Sequence, residues 1–336
     1  MPSQDQRKKR LDRSINVRST GLYALSSWRE MTYLLAPRLL LIVGLLVLPL
    51  VLDHYWQRVL CTAGVFAILA LSFDFLAEYV GLVCLGGALF IGFGGYAAGL
   101  LNEYLGLPPV VTIPLAAVIG ACLSTLVIMP CLRLRGIYFA IITFMLPLFA
   151  RNVIIALSLF GSTEGITGLD TLPNIWVEQY VIVIAVLVIL FALRRFASED
   201  VGLIMMAVKD NDRAVLASGI SIFRYRVLAV FIAALMGCFA GAYLTHLYGW
   251  LGLSLFAMDF SILPIAATVM GGMGTLVGPV IGALILSPLS EALRGLGQLR
   301  VVLYCLLLLL FILYKPEGLM NFLERKYHQF ERLEKV

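Results

Sequence analysis

Two ionisable residues lie inside long apolar stretches of the chain, where a charge is costly and a functional role is the first expectation. They are Asp74 and Arg151. Arg151 could bind a carboxylate of a solute, form an ion pair with Asp74 or Glu78, or extend its guanidinium to the membrane surface. We favour a structural ion pair for Arg151 and an interfacial position for Glu78. His246, near the end of another apolar stretch, is expected to be a hydrogen-bonded histidine at the membrane interface, with a proton carrier as the alternative.

The sequence contains none of the short motifs by which common catalytic sites are recognised. Its histidines, His54, His246 and His328, are isolated from one another, and H-E-x-x-H, G-x-S-x-G and Walker A sequences are absent. The cysteines lie in or beside apolar stretches without a C-x-x-C pair, as expected for small reduced core residues. We therefore expect no enzyme activity, bound cofactor or metal. If the activity of the chain uses ATP, another polypeptide must hydrolyse it.

Two glycine-rich segments, residues 85–95 and 270–282, are candidates for a solute pathway. Glycine in a membrane helix allows close backbone approach or local unwinding. A segment of this kind in each half of a transporter indicates the pathway, although tight helix packing without solute contact is an equal alternative. The candidate pathway residues are Gly86, Gly87, Gly92, Gly94, Thr143, Arg151, Gly271, Gly272, Gly274 and Gly278.

A basic segment, residues 198–226, separates two apolar stretches in the second half of the chain. Within it, residues 202–219 carry apolar side chains at three- and four-residue steps, which predicts an amphipathic helix. A basic amphipathic helix between membrane spans indicates a docking surface for a soluble partner. The alternative is an ordinary positively charged cytoplasmic loop.

Membrane spans are the elements that must position these residues. The chain is 61% hydrophobic and only 13% charged, which is more apolar surface than the core of a soluble protein of this size can hold. Apolar stretches recur along nearly the whole length, which predicts an all-α, polytopic transmembrane helical bundle. The predicted spans are 34–52, 59–77, 80–101, 110–132, 137–160, 180–193, 227–248 and 301–314, with 260–293 as an ambiguous region.

Lysine and arginine predict the orientation of the bundle. The arm 1–33, the ends of the fourth and sixth spans, and the tail 320–336 are basic and therefore cytoplasmic, whereas 161–179 and 249–259 carry no lysine or arginine. By parity, 260–293 must cross twice or enter and return. It is too short for two crossings of roughly 20 residues each. We predict half-helices broken at 271–274 and at Gly278–Pro279, within a membrane domain 34–319 of about ten segments, with eight or nine as the alternative count.

Several blocks together resemble the integral-membrane permease of branched-chain amino-acid ABC importers. They are residues 79–82 with 85–96, 132–143, 164–168, 269–283 and 315–319. The resemblance extends over roughly 60–319, most of the chain. It implies a multi-pass protein of the bacterial inner membrane with both termini in the cytoplasm. The implied function is uptake of branched-chain amino acids or a related small polar or organic solute.

The resemblance also implies partners and roles for the basic segment. Residues 202–219 would be a coupling helix that docks in the groove of an ATPase subunit. The implied complex contains a second related permease, two ATPase subunits that bind ATP and Mg²⁺, and a periplasmic binding protein that delivers the solute to a surface including 161–179. The implied docking positions are Gly202, Lys209, Asp210, Asp212, Arg213, Ala214 and Gly219.

The residues alone leave other function classes open. A secondary transporter driven by protons or sodium is the main alternative, and it would need ionisable groups near the membrane midplane. Only Asp74 and Arg151 qualify for that role. A membrane enzyme acting on lipid is a third class, which the lack of clustered His, Ser, Asp and Cys disfavours.

Overall fold

A computed structural model describes residues 53–134, 136–158, 161 and 164–297, together with isolated positions at 44, 299, 302, 303, 306, 309, 311, 313 and 318–320. The predicted arm 1–33, the span predicted at 34–52 apart from Gly44, most of the span predicted at 301–314, and nearly all of the tail lie outside the described residues. Five described helices are long and apolar enough to cross a membrane.

The described helices follow one another with short connections. They are α1 (His54–Asp74), α2 (Gly87–Leu105), α3 (Pro109–Ile128), α4 (Ile137–Ala156), α5 (Ile175–Ala197), α6 (Asp200–Asp210), α7 (Asp212–Ala217), α8 (Ile222–Tyr248), α9 (Asp259–Gly271) and α10 (Val277–Ala292). A π-helical turn, Phe75–Val80, continues α1, and a 3-10 turn, Met129–Arg133, continues α3. Two short strands, β1 (Ile166–Thr167) and β2 (Trp250–Leu251), pair antiparallel. The all-α membrane bundle predicted from the sequence is confirmed.

The core of the bundle lies around α1. In α1, 94% of the most apolar 18-residue window is buried, compared with 33% in α4 and 28% in α5. Helices α5, α8, α9 and α10 all pack on α1, whereas α2, α3 and α8 pack on one another. Helices α4 and α5 therefore turn most of their apolar side chains outward, as expected for helices that contact lipid.

Glycine sets the close approach of α2 to α8. Gly94 lies directly against the backbone of Cys238, and Gly241 lies against the carbonyl oxygen of Ile91. A Cβ atom at either glycine would overlap backbone atoms, which cannot yield as a flexible side chain can. This is the small-residue packing by which membrane helices approach closely.

The ambiguous region 260–293 is a helical hairpin. Helices α9 and α10 have 13 and 16 residues, which is short of the roughly 20 needed for a full crossing. The hydroxyl of Tyr55, at the start of α1, donates to Glu291 Oε1 at 2.7 Å. The Gly274 N–H donates to Asp74 at the far end of α1. The turn between the two short helices thus lies at one end of α1, and α10 returns to the other.

The break in this hairpin falls at residues 272–276, where we predicted the first of two breaks. The second predicted break, at Gly278–Pro279, is wrong because both residues lie in the first turn of α10. Proline is tolerated there, since a first-turn N–H has no partner within its own helix. Helix α9 is preceded by a 3-10 turn, Leu253–Phe256, of which Leu255 and Phe256 are buried.

The basic segment contains two helices where one was predicted over 202–219. Helix α6 ends at Asp210 and α7 begins at Asp212. The side-chain oxygen of Asn211 accepts hydrogen bonds from the N–H groups of Arg213 and Ala214 at 3.1 and 3.2 Å. Asparagine prefers this N-cap role to a helix interior, so the helix restarts at Asn211 instead of continuing. We call α6 and α7 together the docking segment.

The structure also moves several predicted helix ends. The span predicted at 80–101 begins only at Gly87, because Gly81 has a left-handed φ of +73° that ends the π-helical turn. The spans predicted at 180–193 and 227–248 begin earlier, at Ile175 and Ile222. These extensions contain polar residues that a search for apolar stretches leaves out.

Candidate functional site

Lysine and arginine side chains gather at one end of the bundle, which we call the basic end. Two connections at the opposite end, 157–174 and 249–258, contain neither lysine nor arginine, although Arg58 near the start of α1 and Arg294 just after α10 belong to that end. This charge asymmetry divides the candidate site residues into two groups. The basic end holds Arg133, Arg194, Arg195, Lys209, Arg213 and Arg224.

The turn of the α9–α10 hairpin, residues 272–276, contacts the last residue of α1 at the basic end of the bundle. We call it the hairpin turn. Gly272 and Gly274 have φ values of +111° and +79°, and Leu276 has +56° although it is not a glycine. A backbone in which residues of positive and negative φ alternate can direct successive N–H groups toward an anion. The Gly274 N–H donates to Asp74 Oδ1 at 2.8 Å, so the carboxylate lies against the turn that starts α10.

The partner of Asp74 is therefore backbone, and the predicted ion pair with Arg151 is wrong. Asp74 is fully buried, and its Oδ2 has no hydrogen-bond partner in the described part of the chain. Arg151 is exposed, and no ion pair joins it to another described residue. It lies roughly 20 Å along α4 from the basic end, at a rise of about 1.5 Å per residue. The helix length alone separates the two charges.

Glu78 joins the end of α1 to the docking segment. Lys209 Nζ donates to Glu78 Oε2 at 2.7 Å and to the Glu78 carbonyl oxygen at 2.8 Å. Both side chains are about one third exposed, so the ion pair itself contributes at most about 1 kcal/mol. The second bond, to the backbone, adds geometric definition. Gly81 leaves room for the lysine stem, since a Cβ there would lie 3.1 Å from Lys209 Cγ.

A third block of the chain reaches the hairpin turn. Gly318 is buried, has a φ of +81°, and lies directly against the Cα atom of Gly272. A side chain at Gly318 would overlap the Gly272 backbone. The blocks 269–283 and 315–319, which carried part of the resemblance in sequence, are thus in contact.

The docking segment presents some of its predicted docking residues and buries others. Asp210, Arg213, Ala214 and Gly219 are exposed, together with Leu203 and Leu216. By contrast, Gly202 packs against the carbonyl oxygen of Phe196 and Lys209 binds Glu78. The guanidinium of Arg226 donates to both carboxylate oxygens of Asp212, at 3.1 and 2.9 Å. Asp212 therefore anchors α7 to α8 and is not part of the exposed face.

The first glycine-rich segment divides into two parts. At the start of α2, the Leu85 N–H donates to Thr143 Oγ1 at 3.1 Å, and the Ala88 N–H donates to Ser261 Oγ at 3.0 Å. Gly86 and Gly87 lie between these contacts, which join α2 to α4 and α9. Further along α2, the candidate pathway residues Gly92 and Gly94 pack against Phe256 and Cys238.

A narrow cleft separates α1 from the start of α2 and from α9. It is lined by mostly apolar groups, including Leu69, Phe73, Cys84, Gly87, Phe260 and Pro264. Of the candidate pathway residues, Gly87 lines this cleft. Gly271 and Gly278 lie in contact with each other, at the hairpin turn. The two glycine-rich segments therefore occupy different places, and the structure does not bring them together in one site.

A buried polar cluster fixes the block 164–170 at the opposite end. His246 is fully buried; its Nδ1 lies 2.7 Å from the Asp170 carbonyl oxygen, and its Nε2 lies 2.6 Å from Thr112 Oγ1. Nδ1 must donate, because a carbonyl oxygen only accepts. Asn102 Nδ2 donates to Asp170 Oδ2 at 2.9 Å, and the Asp170 N–H donates to Asn102 Oδ1 at 3.0 Å. The predicted hydrogen bonding of His246 is confirmed, and the side chain is buried among its partners.

Sequence reasoning missed the role of Glu78, which it placed at the interface with Arg151 as its possible partner, whereas the partner is Lys209. Glu78 and Lys209 are far apart in the chain, so no spacing rule connects them. The available signal was chemical: one acidic residue follows Asp74 by one helical turn, and one lysine lies on a basic amphipathic segment.

Comparison of the sequence with known proteins identifies its family. A family described as branched-chain amino acid transport system permease component matches residues 55–314. The high-affinity branched-chain amino acid transport system permease protein LivM of Salmonella typhimurium LT2 is 26% identical over 287 residues, which cover 76% of this chain and 68% of the relative. LivM of Escherichia coli K12 is 26% identical over 316 residues, covering 84% and 74%.

A third organism contains a similar protein. The probable branched-chain amino acid transport permease protein LivM of Methanocaldococcus jannaschii is 26% identical over 289 residues, covering 73% of this chain and 83% of the relative. No solved structure matches the chain. The family match includes nearly all of α1, all of α2 to α10, and the hairpin turn, and the chain therefore belongs to the permease components of branched-chain amino-acid ABC transport systems.

Proposed function

We propose that the chain is a transmembrane subunit of an ABC importer that takes up branched-chain amino acids or a related small polar or organic solute. The observation that carries the proposal is the family match over 55–314, which includes both the docking segment and the hairpin turn. The similar proteins are named as permeases for branched-chain amino acids, and this supports the same class of solute here.

The proposed orientation places the basic end in the cytoplasm of a bacterial cell, with the chain in the inner membrane and both termini cytoplasmic. It is supported by the excess of lysine and arginine at the basic end over the opposite end, since these residues are preferentially retained on the cytoplasmic side during insertion. The opposite end, with the strand pair and the block 164–170, would then meet a periplasmic binding protein that delivers the solute.

The proposed partner at the basic end is an ATPase subunit, one of two, in a complex with a second related permease. Exposed apolar side chains within a polar surface are typical of contact sites. Leu203 and Leu216 are 54% and 53% exposed on a segment that also presents Arg213. ATP and Mg²⁺ would be bound by the ATPase subunits, because this sequence contains no Walker A motif.

Co-purification tests the proposal. The chain, expressed with its natural membrane partners and purified in mild detergent, should retain ATPase subunits, and Arg213→Glu should lower that retention at least tenfold. Arg195→Glu is the matched control, because Arg195 is exposed at the same end but lies on α5 outside the docking segment. Retention should be unchanged in the control.

Uptake into proteoliposomes then distinguishes the solute and the energy source. Labelled leucine should enter only with ATP and a binding protein, and unlabelled valine or isoleucine should compete. Uptake that continues without ATP but stops when the ion gradient is removed would contradict the importer proposal. ATP-dependent uptake of another small solute, with no leucine uptake, would retain the importer and correct the solute.

A further inference from the structure

One turn of α1 lies between the docking segment and the hairpin turn and contacts both. Glu78 receives two hydrogen bonds from Lys209 of α6. Asp74, one helical turn earlier on the same continuous backbone, receives the Gly274 N–H. The docking segment and the hairpin turn are thus joined by two polar contacts and a single stretch of helix.

The two contacts differ in how readily they can break. Asp74 is fully buried, so loss of its bond to Gly274 would leave a buried carboxylate and a backbone N–H without partners, which is costly. Lys209 and Glu78 are partly exposed, and water can replace either partner. The hairpin turn therefore stays attached to α1, whereas the docking segment can release and regain Glu78.

The hairpin turn is also sensitive to the position of Glu78. A Cβ atom at Gly274 would lie 3.7 Å from Glu78 Cγ, so the Glu78 stem lies beside the turn. Leu276 holds a left-handed φ of +56°, which a bulky residue adopts only where its surroundings enforce it. A backbone held in this way can change conformation when a neighbouring contact is lost.

The π-helical form of the connecting turn suits it to a transmitting role. π-helical turns are rare and are frequently found at functional sites. Here Phe75–Val80 continues α1, the most buried of the long apolar helices in the described part of the chain. Its end at Gly81 is the point against which the Lys209 stem packs. A shift of α6 would therefore press on this turn first.

We propose that Lys209 and Glu78 are positioning residues that transmit a displacement of the docking segment to the hairpin turn through Asp74. The proposal rests on the proposed function, because the displacement is that of an ATPase subunit closing on ATP. It assigns to Glu78 and Asp74 a role in coupling, separate from solute contact.

Hydrogen exchange in the intact complex tests this route. The purified complex with its ATPase subunits would be compared with and without ATP and vanadate, and exchange would be measured in peptides covering 202–219 and 270–278. In the wild-type complex both peptides should change when nucleotide is trapped. In Lys209→Met the peptide 202–219 should still change, whereas the change in 270–278 should fall at least fivefold.

Two further variants separate transmission from misfolding. Arg195→Met removes a cation at the same end and should leave both nucleotide-dependent changes intact. The double variant Lys209→Glu/Glu78→Lys restores opposite charges at the contact and should regain at least half of the change in 270–278. A contact that served only to hold the fold would give no such selective loss and recovery.

Each remaining outcome overturns the proposal in a recognisable way. If 270–278 in Lys209→Met changes as in wild type, the displacement travels by another path, such as the Asp212–Arg226 anchor on α8. If the charge-swapped chain assembles but 270–278 does not respond, the ion pair is not the transmitting contact. If the wild-type chain retains no ATPase subunit, or 202–219 does not respond to nucleotide, the importer function itself fails and the proposal fails with it.

Discussion

At the scale of single residues, burial and partner decide what an intramembrane charge does. Asp74 and Arg151 looked alike in sequence, since both stand in apolar stretches. In the structure Asp74 is enclosed and bonded to a backbone N–H, whereas Arg151 lies on the exposed surface of α4. Because a buried carboxylate cannot lose its partner without cost, Asp74 is the residue of the two on which the hairpin turn depends.

We predict that the acceptor atom of Asp74 matters more than its size. Asp74→Leu keeps the branching of the side chain, with bulkier methyl groups in place of the oxygens, but leaves the Gly274 N–H unpaired, and should lower the stability of the purified chain by about 1–3 kcal/mol. Asp74→Asn keeps a side-chain oxygen facing Gly274 and should lower it less. Thermal unfolding in detergent, followed by tryptophan fluorescence, measures the difference. Equal losses in the two variants would show that the Gly274 bond contributes nothing to stability.

Residue pairs were the part of the site that the sequence could not predict. Glycine predicted where unusual backbone would lie, and the positive φ values of the hairpin turn confirm it. The docking role of the basic segment stays a prediction. The pairing of Glu78 with Lys209, and of Asp212 with Arg226, joins residues from different helices. Such contacts follow from tertiary packing, which periodicity and composition do not encode. Asp212 was predicted to contact a partner protein because its ion pair with Arg226 could not be inferred from the sequence.

At the scale of elements, local residue types predicted where helices are interrupted better than they predicted how long the helices are. The hairpin turn lies where Gly272 and Gly274 stand close together, because glycine readily adopts positive φ. The single helix predicted over 202–219 failed at one position, where Asn211 caps α7. An asparagine within an amphipathic pattern is compatible with two structures, a continuous helix or a helix end followed by a new N-cap. Which of the two forms depends on the direction that the chain takes after the asparagine.

The packing of α9 against α10 should depend on the absence of a Cβ atom at Gly282. Gly282 lies directly against the carbonyl oxygen of Ala267, a close backbone contact between α9 and α10 away from the turn. Gly282→Ala should therefore force the helices apart and destabilise the chain by at least about 1–3 kcal/mol, as overpacking does. Gly295→Ala is the matched control, since a Cβ there meets nothing within 4 Å.

Size-exclusion profiles after stepwise heating would measure both alanine variants. The Gly282→Ala chain should aggregate at a clearly lower temperature than wild type, and the Gly295→Ala chain at the same temperature. If Gly282→Ala behaves as wild type, α9 and α10 are not packed as tightly in the membrane as the structure describes.

At the scale of the whole molecule, charge is distributed so that one face can bind a partner while the other stays free of lysine. The basic end contains the docking segment and the hairpin turn, and the opposite end contains the strand pair and the His246 cluster. The lysines of the entire sequence are Lys8, Lys9, Lys209, Lys315, Lys326 and Lys335. If the proposed orientation holds, every one of them lies on the cytoplasmic side.

This distribution predicts a labelling result that needs no substitution. A membrane-impermeant amine reagent should leave the chain unlabelled in spheroplasts, where only the periplasmic face is accessible. The same reagent should label it strongly in inverted membrane vesicles. Detergent-solubilised membranes supply the full labelling for comparison, and a periplasmic protein confirms that the reagent reached the outer face. Strong labelling in intact spheroplasts would reverse the orientation, and the docking segment would then face away from any cytoplasmic ATPase.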